Sequence, residues 1–370
     1  MIKIGHHRRF TANHTFHVDI PGHALFLKLS PNPREAAAEA AGHQRLSPHY
    51  PVPRFWKRIR FGRWTLLVYD RVDNRLLLDE INRADLTGDL TRLDECLDDI
   101  YRHYRTAVLA TVVRAPLSAT VDKLYGDRAR PGGRLDQYYG KDPLLAELAG
   151  LSLRMTNLGG STILVNGRPA TIDYPRLRAW LGRRFHPGRR EWTAITQGDP
   201  TDVNLGWTRE AGPIWFDYDT AGRNALPGEF ACFLWYQHLH GGWIVPTYNS
   251  AAFADHPDAL TLRTRNQPTV HIERQGNHSA IDVRHAPSLA RQHTIRRYLH
   301  EIVQPIAAEL GIDNLLAWLR PWLVMRILAV YHLGVLAPTD AVLHLAYLAR
   351  VLDPDATLEQ LLTDQTAGVP

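Results

Sequence analysis

Gln197-Gly198-Asp199-Pro200-Thr201-Asp202-Val203-Asn204, then Leu205-Gly206-Trp207, then Ile214-Trp215-Phe216-Asp217-Tyr218-Asp219, is the stretch that decides how this chain folds. Thr193-Ala194-Ile195 in front of it reads as a short strand, and 205–207 as another. Between them lies a loop with an acid, Asp199, and an amide five residues on, Asn204. The apolar run 214–216 ends in Asp217, 18 residues after the first acid. An acid at a strand end aims its carboxylate beyond the sheet, so Asp199, Asn204 and Asp217 converge near one hairpin. Asp-x-x-x-x-Asn alone is common in turn loops, which favour Asp, Asn and Gly. The order strand, loop, short strand, acid-tipped strand gives it weight. Phosphoryl transfer needs such a set. One carboxylate orients a hydroxyl and takes its proton, while a second carboxylate and an amide oxygen hold Mg²⁺ on phosphate oxygens.

Working outward, Ala24-Leu25-Phe26-Leu27-Lys28-Leu29 places a lysine inside an apolar strand. An unpaired charge there is costly, so Lys28 calls for an anionic partner. Glu39 on the following helix can supply it. That helix opens with Asn32 as N-cap, Pro33 at the first position and Glu35 at the third, where a capping-box acid reaches back. Residues 14–18 and 24–29 read as strands around a turn at 19–22, and 55–60 and 64–69 as two more around Gly62. This gives a small sheet carrying one helix.

After residues 70–74 the pattern turns helical. Leu90, Leu93, Leu97, Ile100, Tyr101 and Tyr104 have helical spacing within 89–109. Residues 124–141 read as a loop, 144–155 as a short helix, 163–172 as a hairpin with an Asn166-Gly167 turn, and 174–185 as a helix.

With these residues in place, the chain resembles the aminoglycoside phosphotransferase and choline kinase group, which shares the protein-kinase fold. The resemblance covers roughly residues 10–240 and is strongest over 198–204 and 216–219. It implies an α+β, two-lobed kinase-like fold: a small β-rich N-lobe with one helix (1–72, hinge about 69–74) and a larger, mostly helical C-lobe (73–370). It implies that Asp199 is the catalytic base, that Asn204 and Asp217 are Mg²⁺ ligands, and that Lys28 contacts the α- and β-phosphates of ATP or GTP. Counting back from Pro51-Val52-Pro53 through Leu46 selects Glu39 as the partner of Lys28. Tyr69-Asp70-Arg71 would offer backbone groups to a purine. Glu229, in Gly228-Glu229-Phe230-Ala231, would brace the catalytic loop. The chain departs from the group in two places. Gln197 stands where a His is usual, a role an amide can fill by hydrogen bonding. The phosphate-covering loop 11–16 has no glycine, which leaves Asn13 and Thr15 to face the phosphates.

Composition agrees with a globular protein of two or three domain-sized units: 370 residues, 45% apolar and 22% charged. The most apolar stretch, 315–337, is broken by Arg320, Pro321 and Arg326, so a buried helix pair is expected there rather than a membrane span. Residues 1–10 lack the apolar core of a secretory signal, and the chain has two cysteines, which points to the cytoplasm. The net charge is +5, with +8 in residues 1–72 and −3 in the rest. The run Arg54-Phe55-Trp56-Lys57-Arg58-Ile59-Arg60-Phe61-Gly62-Arg63-Trp64 mixes bases and aromatics as nucleic-acid binders do. Its alternation fits a strand with core-facing aromatics better. His238-Leu239-His240 lacks the acids or cysteines of a zinc site.

The expected activity is therefore an Mg²⁺-assisted transfer of the γ-phosphoryl group of ATP or GTP to a hydroxyl of a small molecule. The acceptor pocket is expected from 87–185 and 241–370. A polycationic acceptor needs a strongly acidic cleft, and the Arg-rich 124–190 argues against one. The competing reading is a catalytically silent kinase-fold binding or regulatory protein, favoured by Gln197 and the unusual 11–16 loop. Nothing in the sequence sets an oligomeric state.

Overall fold

A computed structural model describes residues 3–6, 13–148, 150–156, 158, 162–170, 172–275 and 278–363. Strands β1 (Lys3–His6), β2 (His14–Ile20) and β3 (His23–Ser30), helix α1 (Pro33–Leu46), and strands β4 (Phe55–Phe61) and β5 (Trp64–Asp70) come first. The strands form one antiparallel sheet in the order β1-β2-β3-β5-β4. Asn32 caps α1, its Oδ1 accepting from the N–H groups of Arg34 (3.1 Å) and Glu35 (3.4 Å). The N–H of Asn32 donates to Ser30 Oγ at 3.2 Å. Ser30 thus takes the place in the cap expected for the Glu35 side chain.

The expectation that the aromatics of 54–64 face the core does not hold. β4 is the edge strand, and Trp56, Ile59 and Phe61 are exposed. Only Phe55 packs inward, against His43 and Tyr69. A register shift between Phe55 and Lys57 moves the rest of the strand out of phase. Lys57, Arg58 and Arg60 leave a charged edge that resists pairing with another strand.

The chain leaves this sheet through residues 71–74 and enters β6 (Arg75–Leu76), α2 (Leu77–Thr87) and α3 (Thr91–Thr111). Then follow β7 (Val113–Pro116), α4 (Gly126–Ala129), α5 (Arg134–Tyr139), β8 (Leu144–Leu148), β9 (Leu151–Arg154), β10 (Thr162–Val165), β11 (Arg168–Ala170) and α6 (Tyr174–Arg184). The site hairpins are β12 (Arg190–Thr196), β13 (Leu205–Thr208), β14 (Gly212–Trp215) and β15 (Gly222–Ala225). Next come α7 (Leu226–Trp235), which runs on as a π-helix over Tyr236–Ile244, α8 (Val245–Tyr248) and α9 (Pro257–Arg263). The chain closes with β16 (Thr269–Gln275), β17 (His278–Arg284), α10 (Leu289–Tyr298), α11 (Gln304–Glu309), α12 (Leu315–Leu328), α13 (Pro338–Leu352) and α14 (Leu358–Thr363).

Three sequence expectations are corrected here. Residues 124–141 hold two short helices, fixed by tertiary bonds: Tyr139 OH donates to Leu328 O (2.9 Å), and Arg178 Nε binds Asp136 (2.8 Å). Residues 144–155 form the β8–β9 hairpin, not a helix. Residues 315–337 hold one α-helix, α12, and a single 3-10 turn at Leu333–Val335, with the next α-helix beginning at Pro338. The Asn166-Gly167 hairpin is present, with Asn166 at φ 49°. Its strand β10 runs parallel to β17, so two distant hairpins share a four-stranded sheet.

Helix α7 is buried along its whole length and packs against α12 in the main core. Among the described residues no helix is long and apolar enough to cross a membrane.

Helix α1 meets the segment after β14 at Gly42, where a Cβ would sit 1.8 Å from Tyr218 O. Gly42→Ala therefore has to push α1, with Glu39 on it, off its seat. The expected loss is about 1–3 kcal/mol, read as a lower denaturation midpoint. An unchanged midpoint would show that the contact is soft.

Candidate active site

The loop after β12 is built around Gly198, at φ 89°. A Cβ there would lie 2.2 Å from Thr220 O, so only glycine fits. Glu229, in the first turn of α7, reaches under this loop. Its Oε2 accepts from Thr196 Oγ1 (2.9 Å) and Gly198 N–H (3.0 Å). This is the bracing role read from the sequence. Full burial pushes the Glu229 carboxyl up to about 8 despite these bonds.

The side chain of Gln197 makes three hydrogen bonds. Its Nε2 donates to Phe216 O (3.0 Å) and Asp217 O (2.7 Å), and its Oε1 accepts from the N–H of Asp199 (2.7 Å). A histidine ring has two such positions, whereas the amide has two N–H donors and an oxygen that accepts, three positions of which are used here. Gln197 thus ties the Asp199 loop to the segment carrying Asp217.

Asp199 has two environments. Its main-chain oxygen accepts from Thr201 N–H (2.7 Å) and from Asn204 Nδ2 (2.9 Å). Its Oδ1 accepts from the Cys232 thiol (3.0 Å) and lies 3.5 Å from Arg326 Nη1. The carboxylate remains about one-third exposed, 34%, so it can meet a substrate. The Asn204 amide N–H is committed to Asp199 O, which leaves Oδ1 as its acceptor end. Asp217 adopts φ 56°, a left-handed conformation that costs a non-glycine residue energy and clusters at functional sites. Its side chain is 47% exposed.

Lys28 projects from β3. Its Nζ lies 2.6 Å from Glu39 Oε2 and 3.2 Å from Asp217 Oδ1. Burial disfavours the ammonium, but the Asp217 and Glu39 carboxylates outweigh it and hold the amine above the usual lysine range. Tyr69 OH donates to Glu39 Oε1 (3.2 Å) and fixes the other oxygen of that carboxylate. Thr15 is the cross-strand partner of Lys28, so both side chains share one face of the sheet. Asn13 lies just before β2, and the rest of the proposed phosphate loop before it, Thr11 and Ala12, is outside the described residues.

Lys28, Glu39, Asp199, Asn204 and Asp217 thus form one connected set. Other expectations change. The N–H groups of Asp70 and Arg71 already donate to Arg54 O (2.9 Å) and Ala24 O (2.8 Å), so neither is free for a purine. Tyr69 serves the site through its hydroxyl, and the Arg71 guanidinium binds Asp19 (2.9 Å). Asp202 is sealed in an ion pair with Arg291 (2.9 Å), which fits a structural role rather than a ligand role. Asp219 pairs with Lys123. His238 and His240 are buried, His240 Nε2 accepting from Trp235 Nε1 (3.0 Å). The sequence reading missed Cys232 and Arg326 beside the base. The signal for Arg326 was present: one charge inside the apolar run Leu323-Val324-Met325-Arg326-Ile327-Leu328.

Asn204 and Asp217 offer an amide oxygen and a carboxylate, the hard oxygen donors that suit Mg²⁺. A Mg²⁺ bound mainly by phosphates and water needs only one or two protein ligands, so the donor set fits.

No family model matches the chain, and no curated protein is similar to it in sequence. Solved structures are similar in shape. The apo form of a thermostable mutant of aminoglycoside phosphotransferase APH(4)-Ia superposes with a TM-score of 0.50 at 9% identity, over 93% of this chain and 94% of that one. Another crystal structure of APH(4)-Ia gives a TM-score of 0.50 at 11% identity, over 95% and 94%. The chain has the aminoglycoside phosphotransferase fold, a protein-kinase-like architecture with a β-rich N-terminal part and a mostly helical C-terminal part.

Glu229 sets a pH dependence. Its folded value of about 8 lies above the ordinary 4.5. Its contribution to stability is fully present below pH 4.5 and is lost as pH rises through about 8. Glu229→Gln removes that titration. The melting temperature of the wild type should fall relative to the variant between these pH values. Parallel curves would mean that Glu229 stays ionised throughout.

Proposed function

We propose that this protein is a small-molecule kinase, moving the γ-phosphoryl group of ATP or GTP to a hydroxyl of a small molecule. The observation that carries this reading is the Lys28 amine between Glu39 at 2.6 Å and Asp217 at 3.2 Å, with Asp217 tied through Gln197 to the Asp199 loop. The nucleotide would lie between the N-terminal unit, 1–72, and the rest of the chain, 73–370.

In this reading Lys28 holds the α- and β-phosphates, and Glu39 with Tyr69 keeps its amine aimed. Thr15 and Asn13 stand on the phosphate side of the sheet. Asn204 and Asp217 would hold Mg²⁺, which when bound neutralises charge on the phosphate oxygens. Asp199 receives the acceptor's proton at Oδ2, because Oδ1 is taken by Cys232. The acceptor oxygen bonds to the γ-phosphorus as the bond to the β–γ bridging oxygen breaks, and the nucleoside diphosphate leaves with that oxygen. Fixed positions and fixed charges supply most of the rate. The silent-protein reading rested on Gln197 and the 11–16 loop; the three side-chain hydrogen bonds of Gln197 hold the catalytic loop as a supporting residue must, while Thr11 and Ala12 lie outside the described residues.

Mg²⁺-ATP should raise the melting temperature of the wild type, and Asp217→Ala should shrink that shift because a metal ligand is lost. An undiminished shift would remove Asp217 from the metal site. Asp199→Asn should keep the nucleotide shift and lose about 10²–10⁴-fold in turnover, measured as acceptor-dependent ADP release across a panel of hydroxyl compounds. Turnover by Asp199→Asn at the wild-type rate would rule out Asp199 as the base.

A further inference from the structure

Positive charge is concentrated on one side of Asp199. Three guanidinium groups gather at the C-terminal end of α12, next to the base. Arg326 sits on that helix, with Nη1 3.5 Å from Asp199 Oδ1. Arg128 Nη1 in α4 and Arg134 Nη1 in α5 both donate to Ala329 O, the residue that ends α12, at 3.1 and 3.2 Å.

Among the described residues neither Arg128 nor Arg134 pairs with a carboxylate. The acids on and before their elements are committed elsewhere. Asp127 binds Arg130 (3.0 Å), Asp136 binds Arg178 (2.8 Å), and Asp122 accepts from Gly126 N–H (2.8 Å). Burial, followed by the repulsion of Arg134 and Arg326, pushes Arg128 down to about 10, which still leaves it a cation at neutral pH.

A helix end explains part of this grouping, since a C-terminus carries roughly half a negative charge. One guanidinium satisfies it, and here there are two, with a third beside them. Against three positive charges stand Asp199 and the helix end, which leaves about one and a half charges unmatched. Partly buried like charges without counter-ions are costly, so the arrangement calls for an anion from outside the chain. Guanidinium forks match the planar or tetrahedral oxygens of carboxylates and phosphates.

We propose that the acceptor is itself an anion: a hydroxyl compound that also carries a carboxylate or a phosphate group, held by Arg128 and Arg134 while its hydroxyl reaches Asp199. This rests on the kinase reading and adds the acceptor's charge class to it. Arg128 and Arg134 are then the residues that select against polycationic acceptors.

The test uses the full wild-type chain saturated with Mg²⁺ and a non-hydrolysable ATP analogue, so that anions cannot register at the nucleotide phosphate site. Inorganic phosphate, glycerate, glycerol 3-phosphate, glycerol and an aminoglycoside are each titrated, with melting temperature as readout. At least one of the three anions should stabilise the protein, and glycerol and the aminoglycoside should not. Glycerate alone points to a carboxylate acceptor, and the two phosphates to a phosphorylated one. Adding Arg128→Gln or Arg134→Gln should weaken that binding by about tenfold or more, while Arg128→Lys keeps part of it. A retained Mg²⁺-ATP shift shows that each arginine variant is folded. No anion effect, an anion effect untouched by both arginine changes, or stabilisation by the aminoglycoside alone overturns the proposal. Loss of the Mg²⁺-ATP shift in the wild type would instead strike the kinase reading, so the two failures are distinct.

Discussion

The rest of the site depends on one buried amine held between two carboxylates from distant parts of the chain. Lys28 comes from the N-terminal sheet, Glu39 from the helix that crosses it, and Asp217 from the end of β14. Removing one member of such a group leaves an uncompensated charge, at about 3–5 kcal/mol. The contact therefore fixes the sheet, α1 and the Asp217 segment relative to one another. The approach of α1 at Gly42 to Tyr218 O, and the edge-on contact of His43 with Tyr218 at 4.9 Å, exist to the same end. These interactions hold Asp217 in its strained conformation.

Behind that contact the catalytic loop is held from below and from the side. Glu229 grips it from α7, Gln197 links it to Asp217, and Cys232 and Arg326 orient Asp199. Gln197 shows how a departure from the family pattern can keep its purpose. What the position needs is donors and an acceptor at fixed places, and an amide supplies both. The same wall that orients the base also gives the acceptor side a positive field.

Much of the site was legible because its residues break local rules. Lys28 interrupts an apolar strand, Asp217 ends one, and Asn204 follows Asp199 in a loop between strands. What stayed hidden depends on distant contacts. Arg326 stood out as a charge in an apolar helix, yet its neighbour across the core is 127 positions away in sequence. At residues 144–155, Leu144, Leu145, Leu148 and Leu151 fit a helical stripe that masks the hairpin. The alternation Leu151, Leu153, Met155 and the turn at Gly150 (φ 74°) carried the hairpin signal. Helices α4 and α5 are too short to show a period, and they stand because α12 and α6 hold them. Alternation alone puts the aromatics of β4 inside, and alternation does not reveal that a strand lies at a sheet edge.

The most direct measurement is a crystal structure with a non-hydrolysable ATP analogue and Mn²⁺, whose anomalous scattering marks the ion. The account predicts the ion about 2.1 Å from Asn204 Oδ1 and from an Asp217 oxygen, phosphate oxygens completing its shell, and the Lys28 amine on the phosphates with Glu39 still behind it. An ion bound without these two side chains, or an analogue lodged away from Lys28, would contradict it.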